Sequence, residues 1–139
     1  MRISQGANAV KSGQKLELYV ENVLNHLNLD FSSQDKFRDC YGNKNAKMDF
    51  YVDSLDLAIE CKRQQGAGTA DQKLPFVVEN LRKHRASKGL LVLDGEHYKR
   101  REGIHEYLTS QISDTFDWVF IEDFEEWLIE QTNKRQEIK

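Results

Sequence analysis

The sequence contains few of the residues that characterise disulfide scaffolds, zinc ribbons and membrane proteins. Only two residues are cysteine, Cys40 and Cys61, and the absence of a Cys-x-x-Cys pair excludes a disulfide framework and a cysteine-built zinc site. No run approaches the ~18–20 apolar residues of a membrane span. The first residues also lack the apolar stretch of a secretory signal. We therefore expect a cytoplasmic protein with no membrane partner.

Charge is distributed unevenly along the chain. Hydrophobic residues make up 39% and charged residues 31% of the 139 positions, and at roughly 100–200 residues per domain we expect 1–139 to form one domain. The net charge of −3 is the sum of −1 over residues 1–59, +5 over residues 60–101 and −7 over residues 102–139. A local positive field can steer a polyanion, but a solvated helix face explains the same pattern. Charge alone therefore permits nucleic acid without favouring it.

Helix and strand patterns alternate along the chain. Apolar residues at helical spacing predict a helix near 14–28, and residues 34–41 are compatible with a short edge strand. Two strand patterns at 48–52 and 55–62 are joined by the short connection Asp53-Ser54. The downstream prediction is a helix, a strand, a helix, a strand and a closing helix, at 73–86, 88–95, 102–112, 116–122 and 123–134. This order predicts an α/β fold with a central mixed β-sheet flanked by α-helices.

The two adjacent strand patterns place charged groups beside apolar ones. Successive strand side chains point to opposite faces. In the second strand, a core-facing set is expected to comprise Leu57, Ile59 and Cys61, and an opposite set Ala58, Glu60, Lys62 and Gln64. In the first strand, the expected sets are Met48, Phe50 and Val52 on one face and Asp49 and Tyr51 on the other. Burying a row of polar groups on an apolar strand costs folding free energy unless the groups are paired with each other or bind a ligand.

Hairpin pairing can bring Asp49 beside Glu60, although the sequence leaves the register open. Two close carboxylates repel each other unless a cation lies between them. Mg²⁺ suits such a site, because it binds through one or two carboxylates plus substrate phosphate oxygens. Lys62, two residues after Glu60, could orient a water molecule and offset charge developing on a phosphate. The alternative is a structural ion pair of Glu60 with Lys62 or Arg63.

Asp49, followed after ten residues by Glu60-Cys61-Lys62, resembles the D…(D/E)-x-K core of the PD-(D/E)XK nuclease superfamily, which has the restriction-endonuclease-like fold. The order of helix, hairpin strands, helix and strand also resembles this family, so the likeness spans roughly residues 12–122. The extension to Gln64 resembles a motif variant of several restriction and homing endonucleases. Met48 stands where the family motif has proline.

The resemblance implies a role for each residue of the motif. Asp49 and Glu60 would bind Mg²⁺, or Mn²⁺, with the backbone carbonyl of Cys61 as a further ligand. Lys62 would position the attacking water and stabilise the phosphorane. Gln64 would contact a water on the metal or the scissile backbone.

A carboxylate on the preceding helix often completes such a site. Glu17 is similar in placement, and Glu21 is the alternative.

Two basic clusters are expected to contact DNA phosphates, which position a duplex without reading its sequence. They comprise Arg82, Lys83, Arg85 and Lys88, and then Lys99, Arg100 and Arg101. Lys73 resembles a further basic residue close to some family sites. The alternative is that these cations interact with helix C-termini.

The resemblance thus implies a Mg²⁺-dependent DNA endonuclease that acts on double-stranded or branched DNA. Site-specific cleavage of the restriction or homing type is the leading interpretation, with Holliday junction resolution close behind. The alternatives are a non-catalytic DNA-binding subunit with the same fold and an RNA-directed nuclease. Because one site cuts one strand, we expect a homo-oligomer, a dimer or a tetramer.

Overall fold

The fold is a mixed β-sheet between two layers of helices, seen in a computed structural model that describes residues 13–64 and 70–138. The helices in this part of the chain are α1 (Gly13–His26), α2 (Ala70–Lys83), α3 (Glu96–Arg100), α4 (Glu102–Ser110) and α5 (Ile121–Ile138). The strands are β1 (Phe31–Phe37), β2 (Ala46–Val52), β3 (Leu57–Arg63), β4 (Lys88–Asp94) and β5 (Phe116–Phe120). None of the helices in these two segments is long and apolar enough to cross a membrane.

The strands of the described residues lie in the sheet in sequence order, β1-β2-β3-β4-β5. β1, β2 and β3 pair antiparallel, and the segments 38–45 and 53–56 connect them without crossing the sheet. β3, β4 and β5 pair parallel, because helices carry the chain back across the sheet between them. The predicted α/β fold with a central mixed sheet is confirmed.

Each face of the sheet has its own apolar core. On one face, which we call the α1 face, α1 and α5 pack on apolar side chains of the strands, among them Phe50, Val52, Leu57, Ile59, Leu90 and Val92. On the other, the α2 face, α2, α3 and α4 pack on Met48, Tyr51, Ala58, Leu91, Leu93 and Phe116. Full burial of a Val, Leu, Ile or Phe side chain contributes about 1.5–3 kcal/mol, so the two layers hold the sheet from both sides.

β2 changes face at Asp49. Phe50 and Val52 belong to the α1-face core, whereas Met48 belongs to the α2-face core. The expectation that Met48 shares a face with Phe50 is therefore wrong. β1 and β2 pair in a single register, but the pair that would join Gln34 to Asp49 is missing from it. Gln34 has a left-handed backbone conformation, with φ 53°. This conformation interrupts the side-chain alternation, so both strands reverse their faces at the same rung.

Several boundaries differ from the predicted ones. β1 begins at Phe31, upstream of the proposed edge strand at 34–41, and the short helix α3 was not predicted. Between β2 and β3, the connection contains a single 3₁₀ turn, Asp53–Leu55, and the left-handed residue Asp56. The Tyr51 hydroxyl donates a 2.7 Å hydrogen bond to the Asp56 carboxylate, which stabilises this turn. The sequence also gives Thr69 and Gln72 the spacing of a capping box for the helix that follows, but Thr69 lies outside the described residues.

Candidate active site

The backbone ladder between β2 and β3 gives way to side-chain hydrogen bonds at Asp49. Backbone pairing extends as far as Phe50 opposite Ile59. At the next rung, the Cys61 N–H donates a 2.8 Å hydrogen bond to Asp49 Oδ2. The Asp49 N–H in turn donates a 3.2 Å bond to Glu60 Oε1. The two predicted carboxylates therefore lie side by side, each held by the backbone of the other's strand.

Two further charged side chains reach this pair. Glu17, on α1, lies close enough to Asp49 for that carboxyl group to help raise the pKa of Glu17. Lys62 Nζ lies 3.6 Å from Glu60 Oε2, and 41% of the Lys62 side chain is exposed. Of the two glutamates proposed on α1, it is thus Glu17 that contacts the strand carboxylate. The site combines three carboxyl groups with one ammonium group at the boundary between core and solvent.

Burial, reinforced by the neighbouring carboxyl groups, raises the pKa values of Glu60 and Glu17. Desolvation, followed by the negative charge of Asp49, raises the pKa of Glu60 from 4.5 to about 8, against the opposing effect of Lys62. Partial burial, together with the hydrogen bond and charge of Asp49, raises the pKa of Glu17 to about 7. Removal of the Cys61 thiol from water raises its pKa well above its usual value, so this thiol stays protonated. Without a bound cation, these carboxyl groups therefore retain protons, because one lysine does not offset their full ionisation.

The donors fit a hard divalent cation. Asp49 and Glu60 offer carboxylate oxygens, the ligands that Mg²⁺ and Mn²⁺ prefer. Over residues 13–64 and 70–138, no three His, Cys, Asp or Glu side chains form a ready-made metal cage. Mg²⁺ does not require one, because it keeps several waters and binds proteins through one or two carboxylates. The arrangement therefore resembles an open two-carboxylate site, and the Cys61 carbonyl stays a predicted ligand.

Arg63 is committed to another partner. Arg63 Nε lies 3.3 Å from Asp94 Oδ2 at the end of β4, and both side chains are largely buried. The alternative of a structural ion pair between Glu60 and Arg63 is therefore not found among the described residues. The contact of Glu60 with Lys62 remains, and it leaves the ammonium group partly open to solvent.

Gln64 follows the end of β3 and is fixed through its backbone. Its N–H donates to the Asp94 carbonyl at 3.0 Å, and its carbonyl accepts from the His97 N–H at 3.2 Å. Gly95, with φ +107°, passes so close that a Cβ there would lie 2.1 Å from the Gln64 carbonyl oxygen. Only glycine permits this approach. The role of the half-buried Gln64 side chain, contact with a water on the metal or with the scissile backbone, stays a prediction.

Gln34 is a neighbour of the site that the sequence analysis missed. Its Nε2 lies 3.5 Å from Glu17 Oε1, at the long limit of a hydrogen bond. The same residue carries the left-handed backbone at which β1 reverses its faces. The surrounding polar run gives no signal for that conformation, because non-glycine residues adopt it rarely.

The first predicted basic cluster is engaged in contacts within the protein. Arg82 donates to the Gln111 carbonyl at 2.8 Å. Arg82 and Lys83 both pair with Glu79. Arg85 pairs with Asp35 at 3.2 Å and lies over the Tyr51 ring. Lys88 Nζ lies 5.9 Å from the centre of the Trp127 ring.

The second predicted cluster is also paired. The partners of Lys99, Arg100 and Arg101 are, in turn, Glu122 at 2.5 Å, Glu96 at 3.4 Å and Asp71 at 3.4 Å. Lys73 is exposed on α2, without an ion pair among the described residues. The role of both clusters and of Lys73 in DNA binding stays a prediction.

Comparison with protein-family models matches residues 8–118 to the PD-(D/E)XK nuclease superfamily domain. The chain belongs to the PD-(D/E)XK nuclease superfamily. Searches of curated proteins and of solved structures found no significant match. The matched segment of this PD-(D/E)XK domain includes Glu17 and the Asp49…Glu60-x-Lys62 motif, and membership of the superfamily indicates a nuclease.

Proposed function

We propose that this chain is a metal-dependent DNA endonuclease that hydrolyses phosphodiester bonds with Mg²⁺ or Mn²⁺. The observation that carries the proposal is that the Asp49 carboxylate accepts the Cys61 N–H while the Asp49 N–H donates to Glu60 Oε1, with Lys62 at 3.6 Å from Glu60. A structural ion pair needs one carboxylate for one ammonium group. Here three carboxyl groups share one lysine, which suits a site for a divalent cation.

Asp49 and Glu60 would hold the cation, with the Cys61 carbonyl as a further ligand. The cation would polarise the scissile phosphate and favour ionisation of the attacking water. The hydrogen bond from the Cys61 N–H holds Asp49 Oδ2 in the sheet, so the other carboxylate oxygen has a defined direction. Fixed orientation of this kind lowers the reorganisation needed during the reaction.

Lys62 contributes a positive charge next to the carboxylates. Its ammonium group, partly exposed and 3.6 Å from Glu60, can orient the water and offset charge developing on the phosphate. Glu17, which interacts with Asp49 from α1, would help to position the Asp49 carboxyl group. Gln64, at the end of β3, would contact the scissile backbone or a water.

A cleavage assay tests the proposal. Supercoiled, linear and four-way-branched DNA, and an RNA of the same sequence, are incubated with the full chain in Mg²⁺, Mn²⁺ or EDTA. We expect DNA cleavage only with a metal, and a loss of about 10²-fold or more in Asp49→Asn, Glu60→Gln and Lys62→Ala, because each removes electrostatic stabilisation of the transition state. Glu130→Gln, which changes an exposed carboxylate on α5, should cleave as the wild type does.

The outcomes separate the alternatives. If the wild-type protein cleaves no substrate with either metal, the proposal that the chain is an enzyme is refuted and a non-catalytic subunit is supported. Cleavage that survives Glu60→Gln and Lys62→Ala refutes the site. Discrete bands from linear DNA support restriction or homing cleavage, whereas preference for the branched substrate supports a junction resolvase and preference for RNA contradicts the substrate assignment.

The proposed assembly is a homo-oligomer of single-domain subunits comprising residues 1–139. Double-strand cleavage by identical single sites requires two copies in symmetric contact. The solution mass of the native protein distinguishes a monomer from a dimer or a tetramer.

A further inference from the structure

The β1–β2 hairpin carries cations that have no acidic partner among the described residues. Four exposed basic residues, which we call the hairpin cations, lie within twelve positions of each other: Lys36, Arg38, Lys44 and Lys47. Over the part of the chain that the structure describes, none of them forms an ion pair. This separates them from the cations at 82–101, most of which lie within 4 Å of a carboxylate.

Two of the hairpin cations repel each other directly. Lys36 and Lys47 are register partners across β1 and β2. Side chains at opposed positions of an antiparallel pair lie on the same face, about 4.5–5.5 Å apart at Cβ, and like charges there are destabilising. An anion between the two ammonium groups removes this repulsion.

The acidic residues of the same hairpin are already occupied. The Asp35 carboxylate contacts His84 Nε2 and Arg85, each at 3.2 Å. Asp39 Oδ1 accepts the backbone N–H groups of Tyr41 and Asn43, each at 2.9 Å. Both oxygens of Asp35 and Oδ1 of Asp39 are thus engaged within the fold.

The hairpin loop is anchored to the body of the protein. The Cys40 N–H donates to Asn80 Oδ1 of α2 at 2.9 Å. The Tyr41 ring stacks on Phe76 with ring centres 4.9 Å apart. Cations on an anchored loop lose less conformational entropy on binding than cations on a free one.

The hairpin cations lie beside the candidate active site. Lys47 precedes Asp49 by two residues, about 7 Å along a strand. Phosphates of one DNA strand are spaced by about 3.4 Å along the duplex axis, so this separation corresponds to roughly two nucleotides. A cavity of about 130 Å³ is lined by both Lys47 and Glu60. A phosphate bound at Lys47 would therefore lie within about two nucleotides of a phosphate at the carboxylates.

We propose that the hairpin cations bind the phosphates of double-stranded DNA that flank the scissile bond. This inference rests on the proposed function, because it uses the position of the hairpin relative to the candidate active site. It assigns the principal DNA contact to Lys36, Arg38, Lys44 and Lys47 in place of the paired cations at 82–101.

The test measures binding without cleavage. Anisotropy of a labelled DNA duplex is titrated with the full chain in EDTA, over roughly 50–200 mM salt. Each phosphate contact contributes about −0.9 to the slope of log K against log salt. We expect Lys36→Gln/Lys47→Gln to reduce the steepness by about 2 and the affinity at low salt by about tenfold. Arg38→Gln/Lys44→Gln, in the loop, should act in the same direction.

Two comparisons complete the test. Lys134→Gln/Arg135→Gln removes the same charge from the end of α5 and should leave the slope unchanged. Lys83→Gln/Arg100→Gln removes paired cations, and a loss of binding larger than that of the hairpin variants overturns the inference. A hairpin variant that keeps the wild-type slope also overturns the inference. Tighter binding of duplex RNA than of duplex DNA, with the same dependence on the hairpin cations, overturns it as well.

The same titration separates this inference from the proposed function. Binding that depends on the hairpin, in a protein that cleaves no DNA with metal, supports the hairpin surface and refutes the nuclease. Metal-dependent cleavage with hairpin variants that bind and cleave as wild type supports the nuclease and refutes the hairpin surface.

Discussion

Replacing Glu60 with glutamine should stabilise the metal-free protein at alkaline pH while it removes cleavage. The pKa of Glu60 rises from 4.5 to about 8 in the fold, chiefly through desolvation and the charge of Asp49. A raised carboxyl pKa favours folding below the unfolded value of 4.5, and this contribution is lost as pH rises through about 8. Above that pH, the folded protein carries the full cost of the ionised carboxylate.

The magnitude follows from the pKa values. At about 1.4 kcal/mol for each pH unit, a rise from 4.5 to about 8 costs the folded state on the order of 5 kcal/mol. Glutamine removes this cost but loses the contact with the half-exposed Lys62, about 1 kcal/mol. It also leaves a partly desolvated amide, about 1–2 kcal/mol. The expected net gain at alkaline pH is about 2–3 kcal/mol.

Urea denaturation in EDTA measures this gain, at a pH near 5 and again at a pH near 8.5. The gain should appear only at the higher pH, because Glu60 is protonated in the folded state at the lower one. Glu130→Gln, on the exposed face of α5, should change the free energy of unfolding by less than about 0.5 kcal/mol at either pH. A Glu60→Gln protein no more stable than the wild type at high pH, or equally stabilised at both, refutes the electrostatic reasoning.

Two further predictions concern stability away from the carboxylates. Gly95→Ala should lower the free energy of unfolding by on the order of 3 kcal/mol, because its Cβ would lie 2.1 Å from the Gln64 carbonyl at a φ of +107°; denaturant melts measure this loss, and an unchanged midpoint contradicts it. Burial lowers the pKa of His84 below 6.5, so the unfolded chain binds the proton first and stability should fall as pH drops below about 6.5. His84→Gln should flatten that dependence in melts between about pH 5 and 7.5, and an equally steep curve refutes the assignment.

The order of the elements could be predicted because apolar spacing records which side chains are buried. The strand period of LDLAIECK identified β3, and the helical spacing from Leu16 to Leu24 identified α1. α3 was missed, because its five residues, EHYKR, bury only one apolar side chain, Tyr98. A single contact gives no period to detect.

The face reversal at Gln34 and Asp49 could not be predicted from alternation. Period-two patterns assume a regular strand, and the prediction that Met48 accompanies Phe50 failed at the rung where the backbone departs from it. The left-handed Gln34 lies among residues that carry no glycine or asparagine signal. The wrong face for Met48 did not affect the expected proximity of Asp49 and Glu60, because a hairpin brings these two positions together whichever face Met48 occupies.

The ion-pair partners of the basic residues also could not be predicted from the sequence. Arg85 pairs with Asp35, 50 positions away, and Arg101 pairs with Asp71. Counting charges over a segment treats all cations as equal, whereas the fold neutralises some and leaves others open. The hairpin cations were overlooked for this reason, because their segment has a net charge of −1 over residues 1–59.

The hydrogen bond between Asp49 and the Cys61 N–H has a practical consequence for trapping a DNA complex. Inactive variants for crystallisation are commonly made by removing a carboxylate, yet here Asp49 replaces a backbone carbonyl in the sheet. Asp49→Ala would leave that N–H without its acceptor and disturb the strand it was meant to preserve. Lys62 makes only a long contact with Glu60. Lys62→Ala is therefore the better choice for a complex in which β2 and β3 keep their native geometry.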